Sequence, residues 1–424
     1  MTVNDFLKQH RLRSGDIDFT GLVRVFKEDM DLGLEGIFSS LRMIPTYIEA
    51  ENEFLCNTPV LAIDAGGTNF RAALYTFKDS GEVEKGEEVR EMMPGINGEI
   101  SAKEFFETIA SFIRPLASHT ERIGFCFSYP TEIFPDKDGK LLQFCKEVQA
   151  PEVVGQLIGK RLLETMGTPS KKIVLLNDTV ATLLAGKSAS MGNSYDSYIG
   201  YILGTGTNTC YIEANRKIVK IQESDKSKSQ IINIESGAFG KGPRTDLDIL
   251  FDSSTIDPGK YMFEKMFAGG YFGGLSLTVL KAAAREELFS GTTQAMLAGL
   301  TDLTSGAASD FLTGSDTVLN RIFCDSDDCE KARCIIDSLI DRAACLSAAN
   351  IAAVVLKTGK GRQPEYPLLI TIEGTAFYKL HDLKSRFEKY LNEFLTGENE
   401  RFIQFIRVDQ SSLVGAALAG LITD

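Results

Sequence analysis

The 424-residue sequence has no tryptophan, only three histidines, and eight cysteines that never form a C-x-x-C pair. Zinc centres draw on clustered cysteine and histidine, so this inventory argues against one. Cys324, Cys329 and Cys334 are evenly spaced but read as small side chains on and before a helix. Other cysteines sit in apolar runs such as GFCFSYP, which fits reduced thiols in a cytoplasm. No uninterrupted apolar segment approaches the roughly 20 residues of a membrane span. The N-terminal MTVNDFLKQHRLRSGDIDF carries charge where a signal peptide has its apolar region. A soluble, cytoplasmic protein is therefore expected, with no membrane partner. A basic run is also missing, and Lys+Arg number 45 against 58 Asp+Glu, so nucleic acid is not an expected partner. What remains is ordinary globular composition, 43% hydrophobic and 24% charged, in a chain long enough for two domains.

Periodicity divides the chain. The first 55 residues predict two helices, about 17–30 and 34–43. From about 57, strand-like PVLAIDA, FRAALYTF, RIGFCFSYP and KKIVLLND alternate with helical spacing in SAKEFFETIASFIRPLASH and near 152–166, the pattern of an α/β domain. At 196 it restarts, with SYIGYILGTGTNTCYIE, KIVKI and IINIESGAFG. A long helical region, about 258–356, and a final strand-helix-strand-helix portion follow. ESDKSKSQ, 223–230, reads as a mobile loop, and CDSDDCE, 324–330, as acidic charge at the start of a helix.

Superposing Gly67-Thr68-Asn69 on Gly206-Thr207-Asn208, 139 residues apart, puts both triplets between apolar strands, so the chain reads as two related halves. Either hairpin alone is also readable as a plain β-turn. Together they are expected to hold a run of phosphates from both sides, because glycine lets backbone N–H groups approach a ligand closely. Only the first hairpin carries an acid, Asp64, where the second has Leu203. One carboxylate beside clustered phosphates suits Mg²⁺, which keeps most of its waters. In KKIVLLNDTVATLLAGK, Asn177-Asp178 end a strand ahead of a helix, where α/β sheets place ligand chemistry. Capping of the helix by Asp178 or Thr179 is the plainer reading, and an aspartate there is also suited to take a proton from an attacking hydroxyl.

These residues resemble the hexokinases of the actin/Hsp70-like ATPase superfamily over about 57–420. LAIDAGGTNFRAALY resembles the first phosphate loop, FCFSYP the sugar strand "FSFP", and LLNDTVATLLAG the "NDTV" segment. LGTGTNTCYIE resembles the second loop and NIESGAFG the segment "NTEWGAFG". DPGKYMFEKMFAGGYFG, RAACLSAANIAAVV, IEGTAFYKLHD and SSLVGAALAG match further blocks in order. The resemblance implies a two-lobed actin-like (ribonuclease H-like) α/β fold with a duplicated core and an interlobe cleft. A helical segment, 1–56, would pack on a large lobe, 179–412, and a small lobe, 57–178, would be joined by the C-terminal helix, about 413–424. The implied activity is transfer of the γ-phosphoryl of Mg-ATP to the 6-hydroxyl of a hexose by a monomer or homodimer. Asp178 would be the general base and Lys146 would stabilise charge on the transferring group. Ser128, Cys145, Asn177, Asn208 and Glu235 would stand at the sugar. Asp64 would hold Mg²⁺ through water. Gly66, Gly67, Thr68, Asn69 and Arg71, then Thr205 and Gly206, would line the phosphates, with Thr375 and Gly415 along the nucleotide, the latter near the adenine.

The departures bear on the sugar. In FCKEV, where the family has "WTKGF", Cys145 replaces a sugar-binding threonine, and thiols are weak hydrogen-bond partners. Gly274 stands where the family's "YMGE" places a glutamate, and Ser236 replaces a tryptophan. An altered preference is expected, with mannose, fructose or an amino sugar competing with glucose. A catalytically weak sugar or nucleotide sensor of the same fold is the alternative.

Overall fold

The computed structural model describes residues 1–144, 148–221 and 224–423. Two mixed sheets repeat one strand order. The first runs Val83–Met92, Asn69–Phe77, Pro59–Gly66, Arg122–Phe127, Lys172–Leu176. The second runs Ser229–Asn233, Thr207–Ala214, Ser197–Leu203, Leu368–Glu373, Ile403–Ile406. In each, three antiparallel strands lead to two that run parallel with the third. The duplication read from the two Gly-Thr-Asn triplets is thus a duplication of topology. The second sheet gains an edge strand, Ile44–Pro45, paired with Ser229–Asn233.

After the last strand of each sheet comes a helix, Asp178–Ala189 and Ser411–Leu421 respectively. Both are apolar around most of their circumference, as a helix enclosed by protein must be. They pack on each other between the sheets, where Val180, Leu183 and Leu184 share one core with Leu413, Ala417 and Leu421. Glycine allows the approach. A Cβ at Gly415 would fall 1.9 Å from the Ala181 carbonyl oxygen, and one at Gly124 would fall 1.7 Å from that of Ala416. A second core backs the first sheet with helices Ala102–Ala117 and Ile158–Met166. The largest core surrounds the 33-residue helix Ser326–Thr358 and takes in Phe6, Phe26, Met30 and Leu41 from the N-terminal segment. That helix is long and apolar enough to cross a membrane, but its apolar stretch is 89% buried within the protein.

Several local expectations change. One helix, Phe19–Glu35, replaces the first of the two early helices, and a short one, Val3–Gln9, precedes it. Residues 36–43 are not helical: Gly36 ends the helix in the left-handed region, and the chain enters the edge strand. KIVKI forms no strand, because a 3-10 turn, Asn215–Lys217, ends the preceding one. Ser229 and Gln230, read as loop, begin a strand, and residues 222–223 of that loop lie outside the described residues. The acidic start of the long helix matches its reading, since the Asp325 carboxylate accepts from the Asp327 and Asp328 amides.

The helix crossing generates a prediction. Gly415→Ala must displace backbone and should lower unfolding free energy by about 1–3 kcal/mol or more, whereas Gly291→Ala, with nothing within 4 Å of the new Cβ, should be near neutral. Urea unfolding of both variants tests this contrast.

Candidate active site

The first glycine hairpin closes at Gly66 and Asn69, which pair across the turn. Gly67 has a φ of 71° and Thr68 has no positive φ, the pattern of a II′ hairpin with glycine first. The Gly67 carbonyl accepts from the Tyr129 hydroxyl at 3.0 Å and the Thr68 carbonyl from the Met93 amide at 2.9 Å, so the turn is held from behind. Asp64 lies across the hairpin from Arg71, and Arg71 Nη2 donates to Asp64 Oδ2 at 2.5 Å. Ser412 Oγ donates to the same oxygen at 2.8 Å, bringing the C-terminal helix into the cluster.

The second hairpin carries a three-residue loop, 204–206, between Leu203 and Thr207. Its carbonyls are also tied back: Gly204 O accepts from Gly269 N–H and Thr205 O from Gly270 N–H, both at 2.8 Å. Gly374, at a φ of 119°, ends a neighbouring strand, and its missing Cβ would fall 2.3 Å from the Leu203 carbonyl oxygen. Thr375 follows, exposed at the start of a short helix beside this loop.

Two cavities meet between the hairpins. One of about 150 Å³ is lined by Ser128, Asn177, Asp178, Asn208, Asn233 and Glu235, among others. The other, of about 330 Å³, is lined by Asp64, Gly66, Arg71, Ser128, Asp178 and Ser412, among others. Ser128 and Asp178 belong to both. The sheet explains this: Asp64, Cys126 and Leu176 are neighbours across three adjacent parallel strands, and Ser128 and Asp178 each lie two residues further on. All three polar groups therefore emerge at strand C-termini.

In the smaller cavity Glu235 adopts a left-handed φ of 60°, uncommon for a residue with a side chain. Its Oε1 accepts from Asn233 Nδ2 at 2.8 Å and Asn208 Nδ2 at 3.1 Å. Asn177 caps the following helix through Oδ1, which accepts from the Val180 amide at 2.9 Å, leaving its amide group for other use. Burial raises Glu235 above the ordinary carboxylate range, opposed by its Asn233 hydrogen bond and by the charge of Arg42. Cys126, fully buried beneath the junction, is raised first by burial and then by the charges of Asp64 and Asp178.

Eight of the anticipated residues line the two cavities: Asp64, Gly66, Arg71, Ser128, Asn177, Asp178, Asn208 and Glu235. Gly415 does not: the helix crossing encloses it, and its lack of a side chain is explained by the approach of Ala181. Arg71 and Asp64 line the larger cavity as an ion pair, so each already has a partner there. Cys145 and Lys146 lie outside the described residues. At Gly274, a Cβ would meet the Phe251 ring at 2.7 Å, so an aromatic edge occupies the space beside that position.

Sequence reasoning missed Arg42, Asn233, Glu264 and Ser412. Arg42 enters the cavity because Ile44 pairs with Asn233, which carries Arg42 toward Glu235. Asn233 lay in plain view in NIES and was distinguished only by the register that points it at Glu235. Glu264, from a 3-10 turn, reaches the second loop and accepts from the Thr207 amide at 3.1 Å. Its carboxyl is pushed up to about 7, by burial first and then by Glu235 and Asp257, against the Thr207 hydrogen bond.

Models of one family, described as hexokinase, match residues 2–188 and 198–422. The chain belongs to the hexokinase family. It is 28% identical to human hexokinase-2 over 96% of its own length and 47% of that protein. With rat hexokinase-3 the identity is 31%, over 94% of this chain and 45% of that one. The chain thus spans about half the length of these hexokinase relatives. A glucokinase of Aspergillus niger is 28% identical and is 92% covered. A hexokinase from Schistosoma mansoni, solved with glucose, superposes with a TM-score of 0.77 at 23% identity, covering 99% of this chain and all of that one. Another hexokinase crystal structure gives 0.82 at 22% identity, with 98% of each chain covered. The fold is therefore that of the hexokinases, two lobes of the actin-like ATPase type.

The Glu264 shift has a sign. A carboxyl raised to about 7 from 4.5 is protonated in the folded chain while ionised in the unfolded one, so its contribution is present below about 4.5 and lost as pH rises to about 7. Unfolding free energy measured in urea should fall from pH 5 to pH 8 more steeply in the parent protein than in Glu264→Gln.

Proposed function

We propose that this protein is an ATP-dependent hexokinase that transfers the γ-phosphoryl group of Mg-ATP to the 6-hydroxyl of a hexose. The observation that carries the reading is the sharing of Asp178 and Ser128 by two cavities, one rich in amide and carboxylate groups, the other bordered by the first glycine hairpin. In this reading the smaller cavity takes the sugar and the larger one the phosphates. Glu235, Asn208 and Asn177 suit vicinal hydroxyls, because amide and carboxylate together offer donors and acceptors at fixed spacing. Asp178, at the junction, takes the proton of the 6-hydroxyl as that oxygen attacks, the role a positioned base has in phosphoryl transfer. The paired glycine loops supply backbone N–H groups to the phosphates. Carboxylate oxygens suit Mg²⁺, and Asp64 and Asp178 face one cavity, so the donor set fits that ion. When bound, Mg²⁺ neutralises phosphate charge. Closing the lobes over the sugar would align the hydroxyl and exclude water.

Glucose leads the candidate substrates through the relatives' names, one of which is a glucokinase. The Gly274 position qualifies it: a carboxylate acceptor is missing and the Phe251 ring stands beside the gap. Losing a charged hydrogen bond removes about 1.5–3 kcal/mol, and the loss falls on hydroxyl recognition rather than on phosphoryl transfer. The same loss is what favours the sensor as a second reading. Action in a cytoplasm is proposed alongside, supported by the free state of seven described cysteines.

ADP release with Mg-ATP, measured against glucose, mannose, fructose, glucosamine and N-acetylglucosamine, tests the proposal. Turnover should depend on sugar, and Asp178→Ala should lower kcat by about 10²–10⁴. Sugar binding without turnover establishes the sensor instead. Discrimination between glucose and its isomers mannose and fructose should be weak, and a hundredfold rejection of both would defeat that part.

A further inference from the structure

Among the described residues that line the smaller cavity, Asp178 and Glu235 are the acids and Arg42 is the cation. The backbone fixes where Arg42 stands. Leu41 and Met43 on either side of it are 1% and 0% exposed and belong to the large core, so the side chain between them faces outward. Just before them, Ser40 Oγ donates to the buried Asp29 carboxylate at 2.5 Å and Ser39 Oγ to the Asp29 carbonyl at 2.8 Å. Met43 N–H donates to the carbonyl of Ile234, the neighbour of Glu235, at 3.3 Å. Lys220 Nζ donates to the carbonyl of Arg42 itself at 2.7 Å.

The guanidinium is not neutralised by a partner. Among the described residues no carboxylate lies within 4.0 Å of it, whereas Arg71 in the larger cavity is paired with Asp64. Its charge is felt inside the cavity. Burial raises Glu235, and after the Asn233 hydrogen bond the charge of Arg42 is the next influence that opposes the rise. A cation at the rim acts on a charged ligand and leaves a neutral one alone, because the Coulomb term vanishes when either charge is zero. Glucose, mannose, fructose and N-acetylglucosamine are neutral. Glucosamine carries an ammonium group when its amine is protonated, which Asp178 and Glu235 attract and Arg42 repels.

We propose that Arg42 is a specificity-determining residue that keeps the cavity selective for neutral hexoses against protonated amino sugars. The inference rests on the hexokinase reading for the reaction. Among the sugars expected to compete with glucose, it separates the amino sugar from mannose and fructose.

The experiment measures kcat/KM for glucosamine relative to that for glucose in the full chain with Mg-ATP, for the parent, Arg42→Gln and Arg42→Lys. Arg42→Gln should raise the ratio by about threefold or more, the size of a unit-charge interaction in partly solvated surroundings, and Arg42→Lys, which keeps the charge, should not. The ratio of N-acetylglucosamine to glucose should stay within about twofold in all three proteins, since both sugars are neutral. At a pH high enough to neutralise the amine, parent and Arg42→Gln should converge. Division by the glucose value at each pH removes titration of Asp178 and Glu235 from the comparison. An unchanged ratio in Arg42→Gln, a rise that N-acetylglucosamine shares, or a rise that persists at high pH overturns selection by charge. If no sugar is turned over, the hexokinase reading fails, and calorimetric titration with the same three sugars decides the inference on affinity ratios alone. A chain that binds none of them overturns both.

Discussion

The approach of helices Asp178–Ala189 and Ser411–Leu421 is the constraint on which the site depends. Each helix is the continuation of the last strand of its sheet, so the crossing fixes where two strand ends deliver their residues. Gly415 lies against the Ala181 carbonyl and Gly124 against that of Ala416, which leaves no room for a larger side chain at either glycine. Dispersion among closely apposed backbones is weak per atom pair but summed over the whole contact. The consequence appears at the helix starts. Asp178 begins one helix and Ser412 lies in the first turn of the other, and both reach the cavity that holds Asp64.

Charge at that junction is balanced locally. Asp64 has Arg71 on the partner strand of its own hairpin and Ser412 on the opposing helix, so a carboxylate that is 8% exposed is both paired and hydrogen-bonded. A buried carboxylate without such partners would carry a large desolvation cost. Glu235 accepts from the Asn208 and Asn233 amides and has Arg42 at the rim, but its burial outweighs them and raises its affinity for protons. Two carboxylates within one cleft thus have different partners, a guanidinium and a hydroxyl for Asp64 and side-chain amides for Glu235.

What could be read from sequence follows from what is local. The glycine hairpins announced themselves through residue types with a conformational reason to be there, and their repetition disclosed the duplicated topology before any contact was known. Asn177-Asp178 were legible because a buried strand running into a helix places its last residues at a sheet edge. The packing role of Gly415 was not legible for the converse reason: its neighbour Ala181 is 234 positions away in the chain, and no local pattern distinguishes a glycine kept for a helix crossing from one kept for a ligand. Residues 34–43 read as helix because apolar spacing persists there, whereas pairing of Ile44 with Asn233 draws the chain into an edge strand and brings Arg42 to the cavity. Tertiary pairing overrode the local period.

The comparison of the two hairpins ends on an asymmetry that sequence had exposed only by half. Asp64 aligns with Leu203, so the second hairpin was read as lacking an acid. In space it has one, supplied by Glu264 from a segment with no counterpart in the alignment of the two triplets. Duplication preserved the strands and the glycine turns, the parts that ligand approach constrains. Support for each turn then diverged: Tyr129 and Met93 hold the first, Gly269, Gly270 and Glu264 the second. The carboxylates diverged in character as well. Asp64 is ion-paired with the Arg71 guanidinium, whereas burial and the neighbouring acids push Glu264 to about 7. The acid of the first hairpin therefore lines the larger cavity, and the one behind the second bonds the backbone of its own loop.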